Sequence, residues 1–198
     1  MKILIATANG HKFQEISAIL SRPGLELMNL REIPNAPQVV EDGVTFEANA
    51  IKKAVALAAF TGLWTLADDS GLEVDALNGE PGVYSARYAG EPSNDAANNR
   101  KVIAALKGNP NRRARFRCCI ALSDPQGRVR TVSGACEGHL LEELKGNKGF
   151  GYDPLFVPDG FSNTFAEIPE SEKNTLSHRA KALAAAMAGW SELLSQRQ

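Results

Sequence analysis

The sequence is short of cysteine, of net charge and of long apolar runs, and each shortage narrows what the chain can be. Only three cysteines occur among 198 residues, two of them adjacent (Cys118, Cys119) in an apolar stretch. They have neither zinc-ligand spacing nor an evident disulfide partner, so buried thiols in a reducing compartment are expected. Lysine and arginine number 22 against 23 aspartates and glutamates, a formal net charge of −1. Nothing global therefore attracts nucleic acid or an anionic membrane, and any polyanion site has to be a local cluster. No apolar stretch approaches the ~18 residues that suggest a membrane span. The opening Lys2-Ile3-Leu4-Ile5-Ala6-Thr7 is too short and wrongly flanked for a signal peptide. A cytoplasmic protein without nucleic-acid or membrane partners is expected. Repeats, low-complexity tracts and linkers are missing too, so residues 1–198 are expected to form a single domain with a sizeable core.

What is present alternates between two periodicities. Residues 2–7 read as a buried strand and 11–21 as a helix, with Phe13, Ile16, Ile19 and Leu20 at helical spacing. A short strand over 25–30 and a proline-bearing loop over 33–42 come next. Thr45 can cap a helix reaching about Phe60, and Gly62 ends it. Residues 63–67 form an apolar strand that is expected to end at Asp68-Asp69-Ser70-Gly71, with a separate strand over 73–77. Residues 78–88 look like an ordered loop. Asn94 or Asp95 starts a helix to about Lys107, and strands over 114–122 and 128–136 are joined by Asp124-Pro125-Gln126-Gly127, a hairpin signal. A short apolar segment covers 154–157, and Ser177 can cap a last helix through Leu194. The pattern predicts an α/β fold, a mixed sheet with helices on both sides.

Four stretches carry chemistry. Thr7-Ala8-Asn9-Gly10-His11-Lys12 sits between a strand and a helix, where free amides bind anions. Lys12 is unfavourable in a first turn unless it has an anionic partner, yet the stretch also reads as a plain strand–helix turn. Glu41 and Asp42 lie at a helix entrance, and Asp68 and Asp69 at the end of the apolar strand. Buried acids need a metal, a cation or backbone donors, and magnesium takes one or two carboxylates plus substrate phosphates. Strand alternation sends Asp68 and Asp69 to opposite sides, so only one of them should serve a site directly. Gly149-Phe150-Gly151-Tyr152-Asp153 sets an aromatic between glycines, either to stack on a planar ligand or to bend into the core. Lys173, His178 and Arg179 add cations and a donor fork, or are helix-start surface residues.

Together these strings resemble the inosine triphosphate pyrophosphatase family over almost the full length. The resemblance rests on Thr7-Ala8-Asn9 with Lys12, Glu41-Asp42-Gly43 with Thr45-Phe46, and Asn49-Ala50 with Lys53. It continues through Ala67-Asp68-Asp69-Ser70-Gly71-Leu72, Pro81-Gly82-Val83-Tyr84-Ser85-Ala86-Arg87-Tyr88, Gly149-Phe150-Gly151-Tyr152-Asp153-Pro154, and Lys173-Asn174 with Ser177-His178-Arg179. The resemblance implies a long, bent, mixed sheet flanked by helices, two lobes with a central cleft for the nucleotide, and a homodimer. It implies magnesium-dependent hydrolysis of ITP, dITP and XTP to the monophosphate and pyrophosphate. Thr7, Ala8, Asn9, Gly10, His11, Lys12 and Lys53 would hold the triphosphate. Glu41 and Asp69 would hold magnesium, with Asp69 also the general base for the attacking water and Asp68 secondary. Ser70 would touch substrate, Phe150 would stack on the purine beside Gly151 and Tyr152, and Asp153 would bind the ring edge. Lys173, His178 and Arg179 would contact base or phosphate.

Two departures qualify that picture. Asn147-Lys148 stands where many relatives have glycines, which puts the flexibility of the loop before Phe150 in doubt. Ala48 stands where a second glutamate is common, so a metal ligand at that position would be missing; Glu47, an ordinary first-turn acid, is left out of the site. Maf-like pyrophosphatases share a similar fold, but the Phe150-Gly151-Tyr152-Asp153 and Ser177-His178-Arg179 strings argue against them. A non-catalytic nucleotide sensor would be favoured by a missing metal carboxylate, and Glu41 and Asp69 are both present.

Overall fold

Strand β1 (Lys2–Ile5) pairs in parallel with β2 (Glu26–Asn29) on one side and with β3 (Trp64–Val74) on the other. Parallel neighbours need crossovers, and α1 (Gly10–Leu20) and α2 (Phe46–Thr61) supply them. The sheet continues through β4 (Arg113–Ser123), β5 (Val129–Leu140) and β6 (Phe156–Pro158), in the order β2-β1-β3-β4-β5-β6, with β6 antiparallel to β5. The computed structural model describes residues 1–190. The remaining helices are α3 (Asp95–Ala105), α4 (Glu170–Leu176) and α5 (His178–Gly189). The expected extension of the last helix to Leu194 lies outside the described residues. No helix among those residues is long and apolar enough to cross a membrane.

Local chemistry sets the helix ends. Asn9, Thr45 and Asn94 each accept hydrogen bonds from first-turn amides through their side chains, and Gly62 closes α2 in the left-handed conformation (φ 69°). The β4–β5 turn is held by Asp124, whose Oδ1 accepts from the amides of Gln126 (3.0 Å) and Arg128 (2.9 Å).

The chain divides into two compact units. The first contains Met1–Asp69, Cys118–Gly134 and α5 from Arg179 onward; the second contains Ser70–Arg117 and Ala135–His178. In the first, strand alternation builds two apolar layers. Ile3, Ile5, Leu66, Cys118, Ile120 and Leu122 pack with Ile16 and Leu20 of α1 and Leu183 and Ala186 of α5. Leu4, Ala6, Ala67, Cys119 and Ala121 pack with Ala50, Ala54 and Leu57 of α2. The second unit has its own core around Leu72, Val74, Val102, Leu106, Leu140 and Phe165, with Phe116 set edge-on to Phe156 at 4.8 Å between ring centroids. All three cysteines are buried and reduced, as expected.

One expectation fails. β3 does not end at Asp68-Asp69-Ser70-Gly71 but runs unbroken to Val74, and residues 75–77 form a 3-10 turn instead of a separate strand. The reason lies at Gly71. A side chain there would overlap Ser85 Oγ and the Gly82 carbonyl, so its absence lets the 82–87 segment lie against the strand. Ser85 Oγ accepts the Leu72 amide (2.9 Å) and donates to the Gly82 carbonyl (2.6 Å). Residues that favour turns locally are thus kept extended by a partner thirteen residues away.

Candidate active site

The alternation that sorts the core also sorts the two carboxylates of β3. Asp68 shares parity with Leu66 and falls on the α1/α5 face; Asp69 shares parity with Ala67 and falls on the α2 face.

On the α1/α5 face Asp68 is enclosed. Its Oδ1 accepts from Lys12 Nζ (2.6 Å), its Oδ2 from Arg179 Nε (2.9 Å), and the Cys118 thiol donates to Oδ2 (3.0 Å). Arg179 also pairs with Glu15, one turn after Lys12 on α1. Burial opposes charge on Asp68, but Arg179 and Lys12 outweigh it and hold the carboxyl well below the usual carboxylate range. Burial likewise works against charge on Lys12, and Asp68 more than restores it, so the ammonium's pKa is raised. Burial, helped by the Asp68 charge, pushes the Cys118 thiol well up, so it stays a donor. The anionic partner that Lys12 required is therefore Asp68. The preceding turn is also internally bonded, because Asn9 Oδ1 accepts from the amides of His11 (2.9 Å) and Lys12 (3.2 Å) and Thr7 Oγ1 from that of Asn9 (3.1 Å).

On the α2 face the charges are fewer. Lys53 Nζ donates to Glu41 Oε2 (2.8 Å) and to the Asp68 carbonyl (2.8 Å), and lies 3.6 Å from Asp69 Oδ1. One ammonium thus serves two carboxylates. Burial raises the Asp69 carboxyl; Lys53 and Lys12 oppose this, and the nearby Glu41 charge adds to it, leaving it above its ordinary value. Burial also acts upward on Glu41, but Lys53 overrides it and the net shift is downward. Asn49 braces the approach, its Oδ1 accepting the Gly43 amide (2.8 Å). Two carboxylates gathered on one cation, one of them reluctant to ionise, suit a divalent ion that takes one or two carboxylates plus phosphate oxygens. No cage of three or more His, Cys, Asp or Glu side chains exists among the described residues, so further ligands would come from substrate or water.

In the second unit Phe150 lies between Gly149 (φ 72°) and Gly151 (φ 61°), both left-handed. Its amide donates to Asp153 Oδ2 (2.9 Å), which also accepts from Lys173 Nζ (2.5 Å). Lys173 Nζ stands 4.9 Å from the Phe150 ring centroid. Gly149 has no room for a side chain, because a Cβ would overlap the Asp153 carboxylate. Tyr152 is buried and donates its hydroxyl to the Ser85 carbonyl (2.8 Å). His178 stacks on Phe116 at 4.7 Å with ring planes 13° apart.

Several sequence-derived groupings thus separate. Lys12 and Lys53 lie on different faces of β3. Lys173 and His178 belong to the second unit, whereas Arg179 belongs to the first, and all three are buried, which excludes the surface reading. Ser70 is the first residue of the second unit, half-buried within β3. Sequence reasoning missed Glu15, Asn49 and Cys118 as partners. The Lys12–Glu15 spacing, which puts both on one helix face, was the one local signal available.

A profile of the Ham1 family matches residues 3–189. The dITP/XTP pyrophosphatase of Desulforamulus reducens is 54% identical over 189 residues, 94% of each chain. That of Geobacter sulfurreducens is 51% identical over 185 residues, 92% of this chain and 93% of its own. Among solved structures, the Ham1 protein of Staphylococcus aureus superposes with a TM-score of 0.88 at 38% identity, covering 98% of this chain and all of its own. A HAM1 protein from Coxiella burnetii gives 0.89 at 39% identity, covering 97% of this chain and 99% of its own. Profile, relatives and fold agree over nearly the whole length, and the chain belongs to the Ham1 family.

Proposed function

We propose that the protein hydrolyses deaminated purine nucleoside triphosphates (ITP, dITP and XTP) at the α–β phosphoanhydride, releasing the nucleoside monophosphate and pyrophosphate with Mg2+ as cofactor. The observation that carries this is the α2 face of β3, where Glu41 and Asp69 converge on Lys53 and the Asp69 carboxyl is held above its ordinary value. The names of the relatives supply the substrate class.

Glu41 and Asp69 would hold Mg2+. When bound, the ion supplies charge neutralisation and polarisation of the phosphate oxygens. Asp69 orients a water and accepts its proton as the water oxygen attacks phosphorus; the bond to the bridging oxygen breaks and pyrophosphate leaves. Lys53 would meet the triphosphate charge; the family resemblance adds Lys12, here paired with Asp68 on the other face of β3, with residues 7–11 in the turn before it and Ser70 next on the strand. Phe150 is the platform for the purine, with Gly151, Tyr152 and Asp153 completing the loop; by the family resemblance Lys173, His178 and Arg179 would contact base or phosphate, Lys173 from its place on Asp153 and Arg179 from its place on Asp68 and Glu15. A donor aimed at position 6 favours a 6-oxo purine over adenine, because mispairing a buried donor costs about 1–3 kcal/mol. GTP shares the 6-oxo group, so its rejection requires a further contact with the 2-amino group. Homodimerisation belongs to the same reading and rests on the family resemblance; a cytoplasmic location rests on the cysteine usage and the lack of a signal-peptide pattern in the sequence.

The test is product identity. Incubation with ITP and Mg2+ is expected to yield IMP and pyrophosphate in equal amounts. Release of orthophosphate instead would overturn the mechanism, and no turnover of any triphosphate would favour a nucleotide sensor.

A further inference from the structure

The Phe150 loop is held from outside by a helix that the chemistry does not use. Asp95 and Asn99 lie four residues apart in α3 and so share a face. Asp95 Oδ2 accepts the Gly151 amide (2.7 Å), while Asn99 Nδ2 donates to the Gly151 carbonyl (2.7 Å) and to the Asp95 carbonyl (2.8 Å). Gly151 is thus gripped through its own amide and its own carbonyl, one residue beyond the aromatic ring. On the other flank Asp153 holds the Phe150 amide.

Ordinary helix chemistry does not account for Asn99. Asparagine is a poor residue for a helix interior, and this one is 3% exposed with its Oδ1 lacking a hydrogen-bond partner among the described residues. A leucine would avoid that burial cost. What the amide adds is the pair of Nδ2 bonds. Gly151 also needs holding. With a left-handed conformation, no side chain and open space where a Cβ would stand, its backbone has little of its own to hold it, and rotation there would swing the Phe150 ring.

We infer that Asp95 and Asn99 are positioning residues that fix the Phe150 loop and so set the affinity for the purine base. The inference rests on the reading of Phe150 as the base platform. On this reading neither residue needs to touch substrate. Their effect passes through Gly151, so it should appear in KM and leave the hydrolytic step on β3 unchanged.

Three variants and one background test this by steady-state kinetics with ITP. Asn99→Leu and Asp95→Ala should each raise KM about tenfold, the scale of one lost hydrogen bond, with kcat within about twofold of the parent. Asp95→Asn retains an acceptor oxygen and should stay near the parent KM. In a Phe150→Leu background the same changes should add less than about twofold, because residues acting through one group are not additive. An unchanged KM in Asp95→Ala, or a full extra penalty in the Phe150→Leu background, would overturn the inference. If Asn99→Leu does not fold, the Asp95→Ala and Asp95→Asn pair decides alone. If Phe150→Leu by itself leaves KM unchanged, it is the platform reading that has failed; a raised KM in Phe150→Leu with none in Asp95→Ala fails the positioning role only.

Discussion

The two faces of β3 carry adjacent aspartates that are almost equally buried, Asp68 at 2% and Asp69 at 6% exposure, yet their carboxyls shift in opposite directions. Burial acts upward on both. The difference lies in the company. Asp68 has Lys12, the Cys118 thiol and an Arg179 shared with Glu15, whereas Asp69 competes with Glu41 for Lys53. The number of cations per carboxylate, not the depth of burial, separates the carboxyl shifted down from the one shifted up.

The sharpest way to break this comparison is to neutralise each acid in turn. Asp69→Asn should lower kcat about 10²–10⁴-fold, the usual contribution of a positioned general base, while an equilibrium binding assay still detects ITP. Near-normal kcat would remove Asp69 from that role. Asp68→Asn should act on stability instead. Taking one partner from a buried ion network leaves charge uncompensated and costs about 3 kcal/mol or more, readable as a lower denaturant midpoint. A midpoint unchanged from the parent would show that Glu15 alone can satisfy Arg179.

The smallest expected effect sharpens the contrast by sign. Asp68 has a depressed folded pKa, so its stabilisation is present above the unfolded value of ~3.9 and is lost as pH falls through the folded value. Asp69 has a raised folded pKa. Its ionisation therefore opposes folding as pH rises above ~3.9, and fully so above the folded value. At pH 7 in metal-free buffer, Asp68→Asn should lower Tm and Asp69→Asn should raise it slightly. Added Mg2+ should raise Tm of the parent and leave Asp69→Asn unmoved. A Tm for Asp69→Asn below that of the parent would mean that Lys53 already satisfies both carboxylates.

Much of this was legible from local pattern. The caps at Thr45 and Asn94 and the stop at Gly62 are short-range chemistry, and so is the opposed direction of Asp68 and Asp69, which needs only the two-residue period of a strand. The illegible part depended on distant partners. The continuity of β3 past Ser70 comes from Ser85 lying against Gly71. The burial of Arg179 comes from Glu15, 164 positions away, and from Asp68. α4 gave no apolar periodicity over its seven residues, and the grip of α3 on Gly151 has no signature in either segment alone.

The parity of β3 also bears on how this chain can change in length. β1 fixes β3 residue by residue, Ile3 against Trp64, Leu4 against Thr65 and Ile5 against Leu66. A single residue inserted or deleted between Trp64 and Asp68 would shift the rest of the strand by one position. The two aspartates would then exchange faces, and Leu66 or Ala67 would be forced into the wrong layer. A point substitution removes one group, but a one-residue insertion would set Asp68 where Asp69 now stands, against Lys53, and a one-residue deletion would set Asp69 where Asp68 now stands, against Arg179. The residue count between Trp64 and Asp68 therefore fixes which carboxylate meets Lys53 and which meets Arg179.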